Sequence, residues 1–216
     1  MTISPELEHW LRDAGYEYHC FVSWPHTIDS EITGCALHVR DVIQQTLARD
    51  IPDPRVFLDE THLLPGTEWS LALRAALCRS VTMVAICAPI YYDSTHHWCG
   101  REWAFMYSLS RARLAGHDFT TIIPLIFRMS SELPEPVKAL QYVDISKVQV
   151  RGRRYYNTIE FRSHIQDIVT RIEQVATALR ANGALAGCEE LPPPPTSAFS
   201  NYSVPRQPFP LKTESP

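Results

Sequence analysis

Short apolar runs alternate with stretches of helical periodicity along this chain, and that alternation restricts the folds open to it more than any other feature. Residues 18–24, Tyr-His-Cys-Phe-Val-Ser-Trp, form a compact apolar run cut off by Pro25 and read as a buried strand. From residue 30 to about residue 49, Ile32, Ala36, Val39, Ile43 and Leu47 recur at the spacing of an amphipathic helix, which Pro52 and Pro54 end. A second short strand is expected at 55–59, then a loop with the Pro65-Gly66 pair, then a helix over 68–79. Residues 81–88 are apolar and rich in β-branched side chains, as in a strand covered on both faces. A polar loop at 93–97 leads into a helix over 98–114, followed by a strand at 119–127 and a short edge strand at 139–145. A last helix over 157–180 carries Ile165, Ile168, Ile172 and Val175 on its core side. Strands alternating with helices through short loops call for an α/β doubly wound parallel sheet with helices on both faces.

Composition narrows the partners. The 20 Lys+Arg against 24 Asp+Glu leave a formal charge of −4, so nothing electrostatic points to nucleic acid. The strongest basic cluster, Lys147, Arg151, Arg153 and Arg154, reads as a solvated face. The first residues show neither a basic n-region nor an apolar h-region, and the longest apolar run, 81–90, is too short to cross a bilayer. A cytoplasmic protein without a membrane partner is the expectation. The six cysteines are widely spaced and are expected as buried reduced thiols. Of the 17 prolines, eight fall in the last 30 residues, including Pro192 to Pro195 in a row. The chain therefore divides into a short helical extension (1–15), a folded body (16–182) and a proline-rich flexible tail (183–216).

In an open parallel sheet, ligands bind beyond the carboxyl ends of the strands, where the strand order reverses. Ser23, Trp24 and His26 follow the first strand, Asp59 and His62 the second, and Tyr91, Tyr92 and 98–102 the third. Trp24, Trp69 and Trp98 thus share one rim, where they either stack a planar heterocycle or pack loop ends. No Walker loop, G-x-G-x-x-G or G-x-S-x-G elbow is present. His96-His97-Trp98-Cys99 supplies no full metal-ligand set, so no metal is expected. Cys99, near a helix N-terminus, is either a packed thiol or a nucleophile.

The ordered combination of these segments resembles the Toll/interleukin-1 receptor (TIR) domain family. Its first box matches residues 18–24. Its second matches Val56-Phe-Leu-Asp59 with Leu63-Leu-Pro-Gly66, Trp69 and Ser80. A third cluster matches Ala88-Pro-Ile-Tyr-Tyr92, Ser94 and Trp98-Cys99-Gly100-Arg101-Glu102, and 122–127 matches a further strand. The resemblance implies a flavodoxin-like five-stranded sheet and two functional branches. Many bacterial and plant members are similar to NAD-cleaving enzymes that use a glutamate in a W-C-x-x-E segment, here Glu102. Animal receptor and adaptor members act mainly as assembly scaffolds, and Phe161-Arg162 stands here near their usual Phe-Trp pair.

On the enzymatic branch the resemblance implies an NAD+ glycohydrolase with NAD+ as substrate and no further cofactor, active in immune, antiviral or cell-death defence. Glu102 is then catalytic, with Ser23, Trp24, Asp59, Trp69 and Trp98 around the substrate. Self-association falls to the Leu64, Pro65, Gly66 loop. The other branch is a non-catalytic scaffold acting through TIR–TIR contacts. Glu102 is expected to be ionised near neutrality; it is otherwise a first-turn carboxylate complementing the helix dipole. His19 stands where the first box is usually acidic, and its effect is expected to be structural. Phe199, Tyr202 and Phe209 are candidate contact points of the tail for a partner protein or domain.

Overall fold

From Cys20 onward, alternate side chains of β1 (Tyr18–Ser23) enter two different cores, and the rest of the fold is built around that division. The computed structural model describes residues 3–59, 71–93, 96–128, 132–146, 155–188 and 197–200. Cys20 and Val22 face a core shared with α1 (Pro5–Asp13), α2 (Ser30–Leu47) and α6 (Ile159–Ala181). Phe21 faces the other, with α3 (Leu71–Cys78), α4 (His97–Arg113) and α5 (Glu135–Lys138). The remaining strands are β2 (Val56–Leu58), β3 (Ser80–Cys87), β4 (Ile122–Ile126) and β5 (Val143–Asp144). All pair in parallel, in the order β2-β1-β3-β4-β5. This is the doubly wound five-stranded sheet that the alternation predicts.

The caps follow from local chemistry. Ser4 accepts from the Leu7 amide ahead of Pro5, Asp29 from those of Glu31 and Ile32, and Thr158 from that of Phe161. All eight residues of the central strand β3 are buried. The N-terminal helix α1 packs Leu7 and Leu11 into the core and is tied to β1 by Glu8, whose carboxylate lies 2.7 Å from His19 Nε2. His19 Nδ1 accepts the Arg55 amide at 3.3 Å, so Nε2 carries the proton donated to Glu8.

Two features depart from the sequence reading. The edge strand expected at 139–145 is only two residues long. Odd-numbered residues of β4 and its flanks bond β3, as Thr121 and Phe127 do, while Ile126 turns to Ile145 next to β5. Pro124 therefore faces the edge and has no N–H to give, and pairing with β5 starts at Leu125. The cysteines are not all reduced: Cys78 and Cys188 form a disulfide across a sequence separation of 110, with Cα atoms 5.8 Å apart. Cys20, Cys35, Cys87 and Cys99 are the buried thiols that were expected. Residues 183–188 also lie against the body. The Ala186 amide donates to the Ala14 carbonyl at 2.9 Å, and buried Arg113 donates to the Cys78 and Ala186 carbonyls at 2.5 and 2.9 Å.

Candidate active site

The strand order reverses between β1 and β3, so the crevice at their carboxyl ends is the place this topology offers a ligand. Ser23, the last residue of β1, lies two positions beyond Phe21 and thus points to the face covered by α4. Tyr91 comes from the 3₁₀ turn Pro89–Tyr92 that follows β3. Glu102 lies one helical turn beyond Cys99 on the buried side of α4. The three side chains meet: Ser23 Oγ is 2.7 Å from Tyr91 Oη and donates to Glu102 Oε2 at 2.5 Å. A strand end, a 3₁₀ turn and a helix thus converge on a single carboxyl group.

Glu102 is 8% exposed. Burial pushes its pKa up to about 8; the Ser23 hydrogen bond opposes this, and the nearby charge of Asp59 adds to it. The expectation of an ionised Glu102 near neutrality is therefore corrected: in this state the protonated form predominates at pH 7. Burial also lifts Tyr91 well above the usual phenol range, with Cys99 and Cys87 adding to the effect. The Cys99 thiol is pushed well up by burial and then by Glu102. It is a packed thiol, and a helix N-terminus does not make it a nucleophile here.

The other residues picked out on this rim have varied settings. Trp24 is buried, stacks on His26 at 4.4 Å and donates its indole N–H to the Asp59 carbonyl at 3.2 Å, which ties the ends of β1 and β2 together. Trp98 is half-buried one turn ahead of Glu102, with the Arg101 guanidinium over its ring at 5.1 Å. Trp69, and the loop of Leu64, Pro65 and Gly66, lie outside the described residues. Among the described residues no group of His, Cys, Asp and Glu is arranged to hold a metal ion. No described helix is long and apolar enough to cross a membrane. Tyr91 is the site residue to which the sequence reading assigns no role, although its place directly after β3 is the signal that could have found one.

A parallel sheet in this order, with polar side chains gathered at its β1/β3 switch point, defines a flavodoxin-like α/β domain. A family model described as TIR domain matches residues 38–155, more than half of the sequence, and the chain belongs to that family. No curated protein matches the chain.

Proposed function

We propose that this TIR domain cleaves the nicotinamide–ribose bond of NAD+, with Glu102 as the catalytic residue. What supports this reading is the buried carboxyl of a W-C-x-x-E segment, held by Ser23 at the switch point of a sheet whose family includes NAD-cleaving members. The bond from ribose C1′ to the ring nitrogen breaks with its electron pair leaving on nicotinamide, which departs neutral. Positive charge builds on the ribose, as in glycoside cleavage. An ionised Glu102 accepts hydrogen bonds from the ribose hydroxyls and stabilises that charge. Water then attacks C1′ and loses a proton, giving ADP-ribose; attack by the adenine base gives a cyclic isomer instead. The cationic nicotinamide ring of the substrate favours the ionised form of a carboxyl beside it, which counters the burial that raises its pKa.

Self-association activates the domain in this reading, with Leu64, Pro65 and Gly66 in the contact, and Trp24, Asp59, Trp69 and Trp98 line the substrate site. The setting is defence or cell death inside the cell. The test is nicotinamide release from NAD+ by the purified protein, dilute and clustered, beside Glu102→Gln. Turnover that rises on clustering and is lost in the variant is expected. No turnover by the clustered wild type, or equal turnover by Glu102→Gln, sinks the proposal. The near-complete burial of Glu102 favours one second reading, a scaffold that acts by TIR–TIR contact alone. It predicts association without NAD+ loss, abolished by Pro65→His.

A further inference from the structure

Phe199 is 4% exposed, although it lies beyond the proline tract. Three aromatic rings meet it edge-on: Tyr92 at 5.1 Å, Trp103 at 5.4 Å and Tyr91 at 5.9 Å between centroids. The segment 197–200 is also fixed by its backbone. The Ala198 amide donates to the Gly100 carbonyl at 3.0 Å, and the Phe199 amide to Ser197 Oγ at 3.1 Å. Gly100 is the centre of the Trp98–Glu102 segment, and a Cβ there would stand 1.7 Å from Ser197 Oγ and 2.7 Å from Ser197 Cβ. A glycine inside a helix is unfavourable by itself; here it makes room for the C-terminal segment to lie against α4.

The contact reaches the carboxyl by a short route. Phe199 packs on Tyr91, the Tyr91 hydroxyl bonds Ser23, and Ser23 bonds Glu102. We propose that Phe199 is a positioning residue of the Glu102 site: residues 197–200 brace the outer side of α4, and the Phe199 ring holds Tyr91 in the hydrogen-bond chain that orients the carboxyl. The catalytic unit then extends to residue 200 and includes part of what composition marks as a tail. Without the ring, the space between Tyr91, Tyr92 and Trp103 opens toward solvent, and water competes with Ser23 for the carboxyl. The groups facing Glu102 are Ser23 from β1, Asp59 from the end of β2, Tyr91 from the turn after β3 and Cys99 from α4 itself. Its titration therefore reports on this neighbourhood. The activity arm of the inference rests on the NAD+ reading; the titration arm does not.

The experiment uses the full chain as wild type, Phe199→Ala, Phe199→Leu, Gly100→Ala and Gly100→Ala with Ser197→Gly. The Glu102 carboxyl is followed by carbon-13 NMR with labelled glutamate and assigned through Glu102→Gln. Turnover of NAD+ is measured at pH 9, where the carboxyl is ionised in every variant. Phe199→Ala is expected to lower the Glu102 midpoint by at least one pH unit and kcat at least tenfold, with KM within twofold of wild type. Phe199→Leu restores most of kcat. Gly100→Ala reproduces the loss by pushing Ser197 away, and Ser197→Gly returns part of it. A Glu102 midpoint in Phe199→Ala equal to that of wild type overturns the proposal, whatever kcat does. If Phe199→Ala does not fold, Gly100→Ala decides by the same criterion, since it leaves the Phe199 side chain in the protein. If wild type turns over no NAD+, the NAD+ reading fails, and the titration still decides on Phe199.

Discussion

Ser23, at the end of β1, donates its hydroxyl proton to Glu102, in the second turn of α4, across 2.5 Å. This bond stabilises the carboxylate against a surrounding that otherwise disfavours charge. Ser23→Ala removes the opposing influence and leaves burial and Asp59 unbalanced. A hydrogen bond to a charged group contributes about 1.5–3 kcal/mol, so the Glu102 midpoint rises by about one pH unit or more. With Glu102 catalytic, kcat/KM at pH 7 falls about tenfold from the loss of ionised enzyme alone, and much of the loss is recovered at higher pH. A pH–rate profile of the free enzyme measures this. A midpoint that stays put or falls in Ser23→Ala contradicts it.

The same carboxyl affects stability with a definite sign. Its folded pKa, about 8, lies above the unfolded value of 4.5, so between those values the folded protein holds more protons than the unfolded. Stability from this group is therefore lost as pH rises from 4.5 through 8, at roughly 1.4 kcal/mol for each pH unit between the two values. Glu102→Gln cannot ionise and escapes that loss. Relative to wild type, its Tm is expected to be higher by about 5 °C or more at pH 8.5, with a much smaller gain at pH 5. Melting curves at the two pH values check the difference; a gain that does not grow with pH rules out an unfavourably buried carboxylate.

Glu8 has the opposite sign. Burial raises its pKa, but the hydrogen bonds and electrostatic attraction of His19 and Arg12 outweigh burial and leave it lowered. A depressed carboxyl contributes stability that is present above the unfolded value of 4.5 and lost as pH falls through the folded pKa. Glu8→Gln should cost about 1–3 kcal/mol at pH 7 and clearly less at pH 3. Because both partners are buried, a double-mutant cycle with His19→Gln is expected to give a coupling of about 1 kcal/mol or more. Additive effects would place the two residues outside one interaction. The unusual His19 of the first box is thus a partner for the N-terminal helix, which agrees with a structural effect.

The fold was legible because continuous apolar runs mark strands covered on both faces, as in β1 and β3, and a period of 3.6 marks the core face of a helix, as in α2 and α6. The two-residue β5 was not, since its length depends on which way Pro124 faces in the ladder, and that is fixed only once strands are paired. The site was legible in part. Glu102 stands in a recognisable segment, and Ser23 and Asp59 follow strands. That Ser23 reaches Glu102 depends on the parity of β1 and the angular position of α4 together, which no local pattern encodes. Phe199 gave no signal of its site, because a single aromatic after a proline tract has no periodicity to show where it docks. The Cys78–Cys188 pair was hidden for a similar reason: connectivity cannot be read from spacing when six cysteines are scattered.

That pair gives the last prediction. Burial pushes Cys20, Cys35 and Cys87 up to about 12 and Cys99 well above the usual thiol range, so none presents a thiolate to solvent at neutral pH. The native, non-reduced protein is therefore expected to take up no alkylating agent at these four positions, and the denatured protein to take up four equivalents. Peptide mapping should find Cys78 joined to Cys188. Closing a loop of about 100 residues is worth about 4–5 kcal/mol in the loop-entropy model, so Cys188→Ser should melt well below the oxidised wild type and close to the reduced one. Six alkylated cysteines in non-reduced denatured protein would show that the pair does not form. If Cys188→Ser keeps the wild-type Tm, the link between α3 and the end of the body does not constrain the unfolded chain, and the hydrogen bonds of the 183–188 segment to Arg113, Arg74, Tyr16 and Ala14 hold it without the disulfide.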